Sequence, residues 1–146
     1  MSYALAKAQI VTIIEGTTPA KSKLGLGPRF RHDPKGESVV ARSFTLAQSE
    51  LGRWGPVTTT TKVHVAALIA EFRYPSQVGD ADALDVAMAT DYELLSNALL
   101  DVSGWNQPTS TLWALASDDV VALPSSTTKS DDATTLSIQI VMRYTQ

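Results

Sequence analysis

Apolar residues recur along this chain with two different periods, and the changes of period mark its elements. From Tyr3 to Glu15, Ala6, Ile10, Ile13 and Ile14 fall on one face at helical spacing. The run Ile10-Val11-Thr12-Ile13-Ile14 is β-branched and favours strand by propensity; the spacing decides for helix. Gly16 ends the segment and Pro19, which has no N–H to donate, cannot continue it.

The period then disappears. Residues 17–37 hold three prolines, three glycines and five basic residues, which predicts a long connection. Ordered loops of this length are uncommon and are usually functional or flexible. Alternation returns from Val39 to Gln48, where Val40, Arg42, Phe44 and Leu46 share a side. Arg42 breaks that pattern and marks a strand end near it. The Gly52-Arg53-Trp54-Gly55-Pro56 cluster predicts a turn, with Thr58 to Thr61 completing the loop. A second strand runs from Lys62 to Tyr74. Its stretch from Val63 to Ala70 is nearly unbroken apolar, which predicts cover on both faces. Pro75 stops it.

The longest periodic segment is a helix from Asp80 to Val102. Leu84, Met88, Tyr92, Leu95, Leu99 and Val102 form one apolar stripe along about six turns. Asp80, Asp82 and Asp85 stand at its start, where the helix dipole favours negative charge. Gly104 suits the position just past its end. Such a helix is marginal alone and needs a sheet to lie on. Leu112 to Ser117, extended towards Leu123, predicts a third strand. Thr135 to Tyr144 predicts the fourth, with Leu136, Ile138, Ile140, Met142 and Tyr144 on one face and Ser137, Gln139 and Arg143 on the other. Pro124 to Ala133 reads as an exposed Ser/Thr/Asp-rich link. No internal repeat is visible.

The order predicts an α+β fold: an N-terminal helix, then an antiparallel sheet of about four strands with a long amphipathic helix packed on one face. Its length of 146 residues, 44% of them hydrophobic, is that of a single domain, 1–146, with a long basic loop at 17–37. Charged residues make up 18%, below the roughly 25% of an average soluble domain. That leaves neutral surface suited to contacts with other chains. The net charge of −3 argues against nucleic-acid binding by bulk charge, but it is unevenly spread. Residues 1–60 carry +4 and residues 61–146 carry −7. Copies standing side by side could therefore match a basic face to an acidic one. There is no cysteine, which excludes disulfides and thiolate metal sites. The first residues, Met1-Ser2-Tyr3-Ala4-Leu5, lack the pattern of a signal peptide. No apolar run reaches the roughly 18 residues of a membrane span. A cytoplasmic place of synthesis is expected.

Catalytic patterns are approached and missed. Gly16-Thr-Thr-Pro-Ala-Lys21-Ser22 lacks the glycine that must precede the lysine of a phosphate-binding loop; Ala20 stands there. Gly25-Leu26-Gly27 lacks the third glycine of a dinucleotide fingerprint. His32 and His64 lie on different elements without an obvious carboxylate partner. Asp118-Asp119 and Asp131-Asp132 fall in Ser/Thr-rich turn contexts. There is no nucleophile elbow. The expectation is a chain that is not an enzyme and has no catalytic, metal or cofactor residues. The one cluster with a sharper reading is Lys21, Lys23, Arg29, Arg31 and Lys35. It suits phosphates or an acidic neighbouring subunit, with the alternative of a plain solvated loop. Phe30 is its only aromatic residue, so base stacking has little support.

Three phrases bring a family into view. A strand ends in Phe72-Arg73-Tyr74-Pro75; an acidic helix start, Asp80-Ala-Asp-Ala-Leu-Asp85, runs on through Asp91-Tyr-Glu-Leu-Leu-Ser-Asn-Ala-Leu-Leu100; and a last alternating strand ends Val141-Met-Arg-Tyr144. In this order of elements the chain resembles the tail-terminator (tail-completion) proteins of long-tailed bacteriophages, over most of residues 38–146 and the N-terminal helix. The resemblance implies an α+β subunit of the virion tail or neck, assembled in the host cytoplasm. It implies a homohexameric ring that caps the tail tube and meets the head-side connector, with DNA passing through its centre. It carries no residue roles to this chain. Two other readings stand beside it: another head–tail joining ring, such as a stopper or neck protein, and a small ligand-binding or enzymatic α+β domain, which would need a convergent polar pocket.

Overall fold

The computed structural model describes residues 3–21, 24–38, 40–48, 56–58, 63–75, 81–105, 110–112, 123–130 and 133–145. Helix α1 spans Tyr3–Glu15, with Ala6, Ile10 and Ile14 wholly buried. The strands are β1 (Arg31–His32), β2 (Ser43–Gln48), β3 (Pro56–Thr58), β4 (Val63–Pro75), β5 (Ser110–Leu112), β6 (Ser125–Lys129) and β7 (Ala133–Thr145). Helix α2, Ala81–Leu99, lies between β4 and β5 in sequence.

The fold is α+β, as the order of elements predicts, but the sheet is larger and mixed. Among the described residues it has seven strand segments where about four were expected, ordered β1-β2-β4-β7-β5, with β3 beside β4 and β6 beside β7. The backbone of the sheet is β4 against β7, antiparallel in unbroken register from Val63↔Thr145 to Pro75↔Ala133. The even positions of both strands, from Ala66 to Tyr74 and from Leu136 to Tyr144, face one side and are buried. Leu84, Met88, Leu95 and Leu99 of α2 and the α1 isoleucines join the same core. Both helices thus cover that one face.

The odd positions of β4 depart from expectation. Val65, Ala67 and Ile69 are only half-buried. The apolar run is read by the sheet as alternation, because among the described residues no helix covers its second face.

β1 against β2 is parallel, pairing Arg31↔Ser43 and His32↔Phe44. Two tight reversals between these strands restore the chain direction. The first is the Asp33–Gly36 turn, in which Gly36 N–H donates to the Asp33 carbonyl (3.1 Å) and Gly36 adopts φ +68°. The second is at Arg42, whose φ of 66° lies in the left-handed region. That conformation costs a non-glycine residue roughly 1–3 kcal/mol and must be held by its surroundings. The strand expected from Val39 accordingly begins at Ser43, and Val40 is exposed.

Two further differences concern the second half. The Pro124–Ala133 link contains β6, which pairs with β7 from Ser125↔Ile138 to Lys129↔Thr134. Every residue of β6 is exposed, so no apolar alternation betrays it. Of the expected Leu112–Ser117 strand, Leu112 belongs to β5; 113–117, like the 52–55 part of the glycine-rich turn, lie outside the described residues. Gly104 does not cap α2 in a left-handed conformation. It ends a 3-10 turn, Val102–Gly104, and its carbonyl accepts a hydrogen bond from the Gln9 side chain of α1 (2.8 Å). The end of α2 is satisfied instead by Trp105, whose indole N–H donates to the Leu99 carbonyl (2.8 Å). Among the described residues no helix is long and apolar enough to cross a membrane.

Candidate functional site

The segment from 17 to 37 is a strap pinned to the core. Phe30 is buried and meets Phe72 of β4 edge-on, with ring centroids 5.6 Å apart. Phe72 in turn contacts Phe44 of β2 at 5.1 Å, so the chain's three phenylalanines form one cluster. Because Phe30 points inward, Arg29 and Arg31 on either side of it are exposed. Lys35 is exposed in the Asp33–Gly36 turn. Lys21 is exposed beside a groove of about 290 Å³ that the strap forms with α2, lined by Leu24, Ala83, Val86 and Ala87. Lys23 lies outside the described residues. The basic residues are therefore spread along the strap, and only Arg29 and Arg31 stand as a pair. None of Lys21, Arg29, Arg31 and Lys35 makes an ion pair with a described residue.

What pins the other part of the strap is Arg42. Its Nε donates to Asp91 Oδ2 (2.8 Å) and its Nη2 to Asp91 Oδ1 (3.0 Å), a two-pronged pair. Its Nη1 donates to the Gly27 carbonyl (2.7 Å) and Nη2 also to that of Ala20 (3.3 Å). The Tyr74 hydroxyl donates to Asp91 Oδ2 (2.6 Å). Arg42 is 2% exposed and Asp91 is not exposed at all. The backbone holds Arg42 as well: its N–H donates to the Arg73 carbonyl (2.8 Å) and its carbonyl accepts from Arg31 N–H (3.1 Å). One residue thus joins the strap and α2 through its side chain and β4 through its backbone. Burial, and next the negative charge of Asp91, push the Tyr74 phenol far above its ordinary value, so it stays a donor. Paired charges this deep hold position more than they add stability, since desolvating them costs much of what the pairing returns.

The sequence carried a signal for this hub. Asp91 falls between Met88 and Leu95 at spacings of three and four, in register with the buried stripe, and it is the stripe position where Tyr92 was expected. Tyr92 is half-buried and donates to the Leu123 carbonyl. An acid inside an apolar stripe calls for a buried cation, and Arg42 is the cation that breaks the alternation from Val40 to Leu46.

The remaining candidates are placed as follows. His32 is half-buried against the Phe44 ring, 5.2 Å between centroids. The His64 side chain, Asp118-Asp119 and Asp131-Asp132 lie outside what is described. Among the described residues no three His, Asp or Glu side chains group as a metal site. A second cleft, about 230 Å³, opens on the sheet face that no described helix covers, between Asp33, Thr45, Glu71 and Arg73.

The chain matches no protein-family model, and no curated protein matches it.

Proposed function

We propose that this chain is a structural subunit of a phage virion, the tail terminator that forms a ring on the tail tube and joins it to the head-side connector. The observation that carries the reading is the contact of Tyr74 with Asp91. Two of the phrases that resemble the family, the end of β4 and the body of α2, meet in that buried bond. The third, the end of β7, belongs to the strand that pairs with β4 along its whole length. The phrases thus belong to one packed unit. The sheet face that no described helix covers supports the reading too, since half-buried Val65, Ala67, Ile69 and Val141 offer apolar surface for neighbours.

In this reading the chain's partners are further copies of itself as a hexamer, the tail-tube protein and the head-side connector or stopper. DNA passes through the ring without sequence-specific contacts. Electron microscopy of the purified chain and of intact particles tests it. The expected result is a ring that maps to the head-proximal end of the tail. A ring located elsewhere in the neck would move the chain to a stopper role, and absence from particles would exclude both.

A further inference from the structure

The two edges of the sheet differ in charge and in backbone chemistry. At one edge stands β1. The Arg31 and Asp33 N–H groups point to β2, donating to the Arg42 and Phe44 carbonyls. The His32 N–H between them points outward, and the Glu15 carboxylate of α1 takes it (3.2 Å). This edge is closed to a further strand, and what it presents is side chains, Arg29 and Arg31, with Lys35 in the adjacent turn. At the other edge stands β6. It pairs only with β7 among the described residues, all five of its residues are exposed, and it has no proline or acidic side chain. Natural edges are usually protected by charge, proline or cover; β6 has one lysine at its end. Among the described residues, its exposed backbone and the hydroxyls of Ser125, Ser126, Thr127 and Thr128 offer acceptors at this edge.

The start of α2 lies beside this open edge. Asp85 shares a cleft of about 150 Å³ with Thr127, Lys129 and Thr134, and Asp82 and Asp85 are exposed. Among the described residues, Arg29, Arg31 and Lys35 of the basic first half therefore stand at one edge, and Asp82 and Asp85 of the acidic second half stand beside the other.

We infer that the Arg29–Arg31 edge of one copy docks on the β6 edge and the α2 start of a second copy, and that this head-to-tail contact is the subunit interface. The inference deepens the ring reading and rests on it. Guanidinium groups offer planar sets of N–H donors, which the open-edge carbonyls, hydroxyls and Asp82 and Asp85 accept. Because donor edge and acceptor edge are different surfaces, the contact is heterologous, and such contacts close into rings when the rotation permits.

Sedimentation of the full chain across salt concentrations tests it. The wild type is expected to form a multimer that weakens with salt. Arg29→Glu with Arg31→Glu should weaken association by roughly tenfold or more, with an unchanged melting curve. Adding Asp82→Lys and Asp85→Lys to that variant should restore it, which loss of folding could not do. A multimer indifferent to both charge changes overturns the interface and leaves the ring standing. So does a dimer abolished by Thr127→Pro alone, which would place β6 against its own copy. A charge-dependent multimer absent from virions would keep the interface and overturn the ring's place in the tail. A chain monomeric at low salt and millimolar concentration overturns the interface.

Discussion

Removing the Asp91 carboxylate would leave the Arg42 guanidinium buried without a counter-charge. Asp91→Ala is therefore expected to cost about 3–5 kcal/mol in urea unfolding, far more than an exposed acid. Arg42→Met combined with Asp91→Leu should cost less than the sum of the single changes, and strict additivity would show that the two are not coupled. Full recovery is not expected, because Arg42 also holds the Gly27 and Ala20 carbonyls. Tyr74 gives a pH signature. The folded chain holds its phenolic proton more tightly than the unfolded chain, which titrates near 10.0. Below that pH both states are protonated and the contribution is complete. As pH rises through 10.0 towards the folded value, the unfolded state loses its proton first and stability falls. Burial raises Tyr3 and Tyr144 in the same direction. Tyr74→Phe should flatten the alkaline limb of a urea-midpoint series; an unchanged slope would exclude Tyr74 as its source. Arg42 was legible as a break in alternation, Asp91 was not because Tyr92 beside it fits the stripe by spacing, and their meeting joins positions 49 apart in sequence.

Among the elements, the strap is where local pattern and tertiary role diverge most. Its glycines, prolines and charges describe a loop, while Phe30 and two of its carbonyls fix it to the core. Phe30→Ala is expected to destabilise the chain by about 3–5 kcal/mol, and Arg29→Ala or Arg31→Ala by no more than about 0.5 kcal/mol. Equal, small effects from all three in thermal or urea unfolding would describe a free linker instead. The helices and long strands were readable because burial repeats along them: Ala6, Ile10 and Ile14, the α2 stripe, and Leu136 to Tyr144. β6 was not, because an exposed edge strand of Ser and Thr has no buried face to repeat. β1 was not, because its two residues become a strand only where β2 returns beside them.

For the whole molecule the division of charge matters more than the total. Neutralising Lys21, Lys23, Arg29 and Arg31 together is expected to leave the fold intact, since the described members are exposed and outside any ion pair. It should weaken assembly or DNA retention in a salt-dependent way. Particle yield and DNA release, measured at two ionic strengths, would separate this from a solvated strap with no partner, for which neither changes.

By itself the sequence determined the two helices, the two long strands, the faces that α1 and β7 bury and the imbalance of charge between its halves. All of these are periodic or compositional, and short-range sterics and burial enforce them wherever the chain goes. Only the tertiary structure decided that the basic segment is pinned, that an arginine and an aspartate close a buried hub, and that Arg29 and Arg31 stand at the sheet edge opposite the one beside Asp82 and Asp85. Each of these depends on which strand pairs with which, and strand pairing joins residues far apart in the chain through backbone groups that are alike at every position.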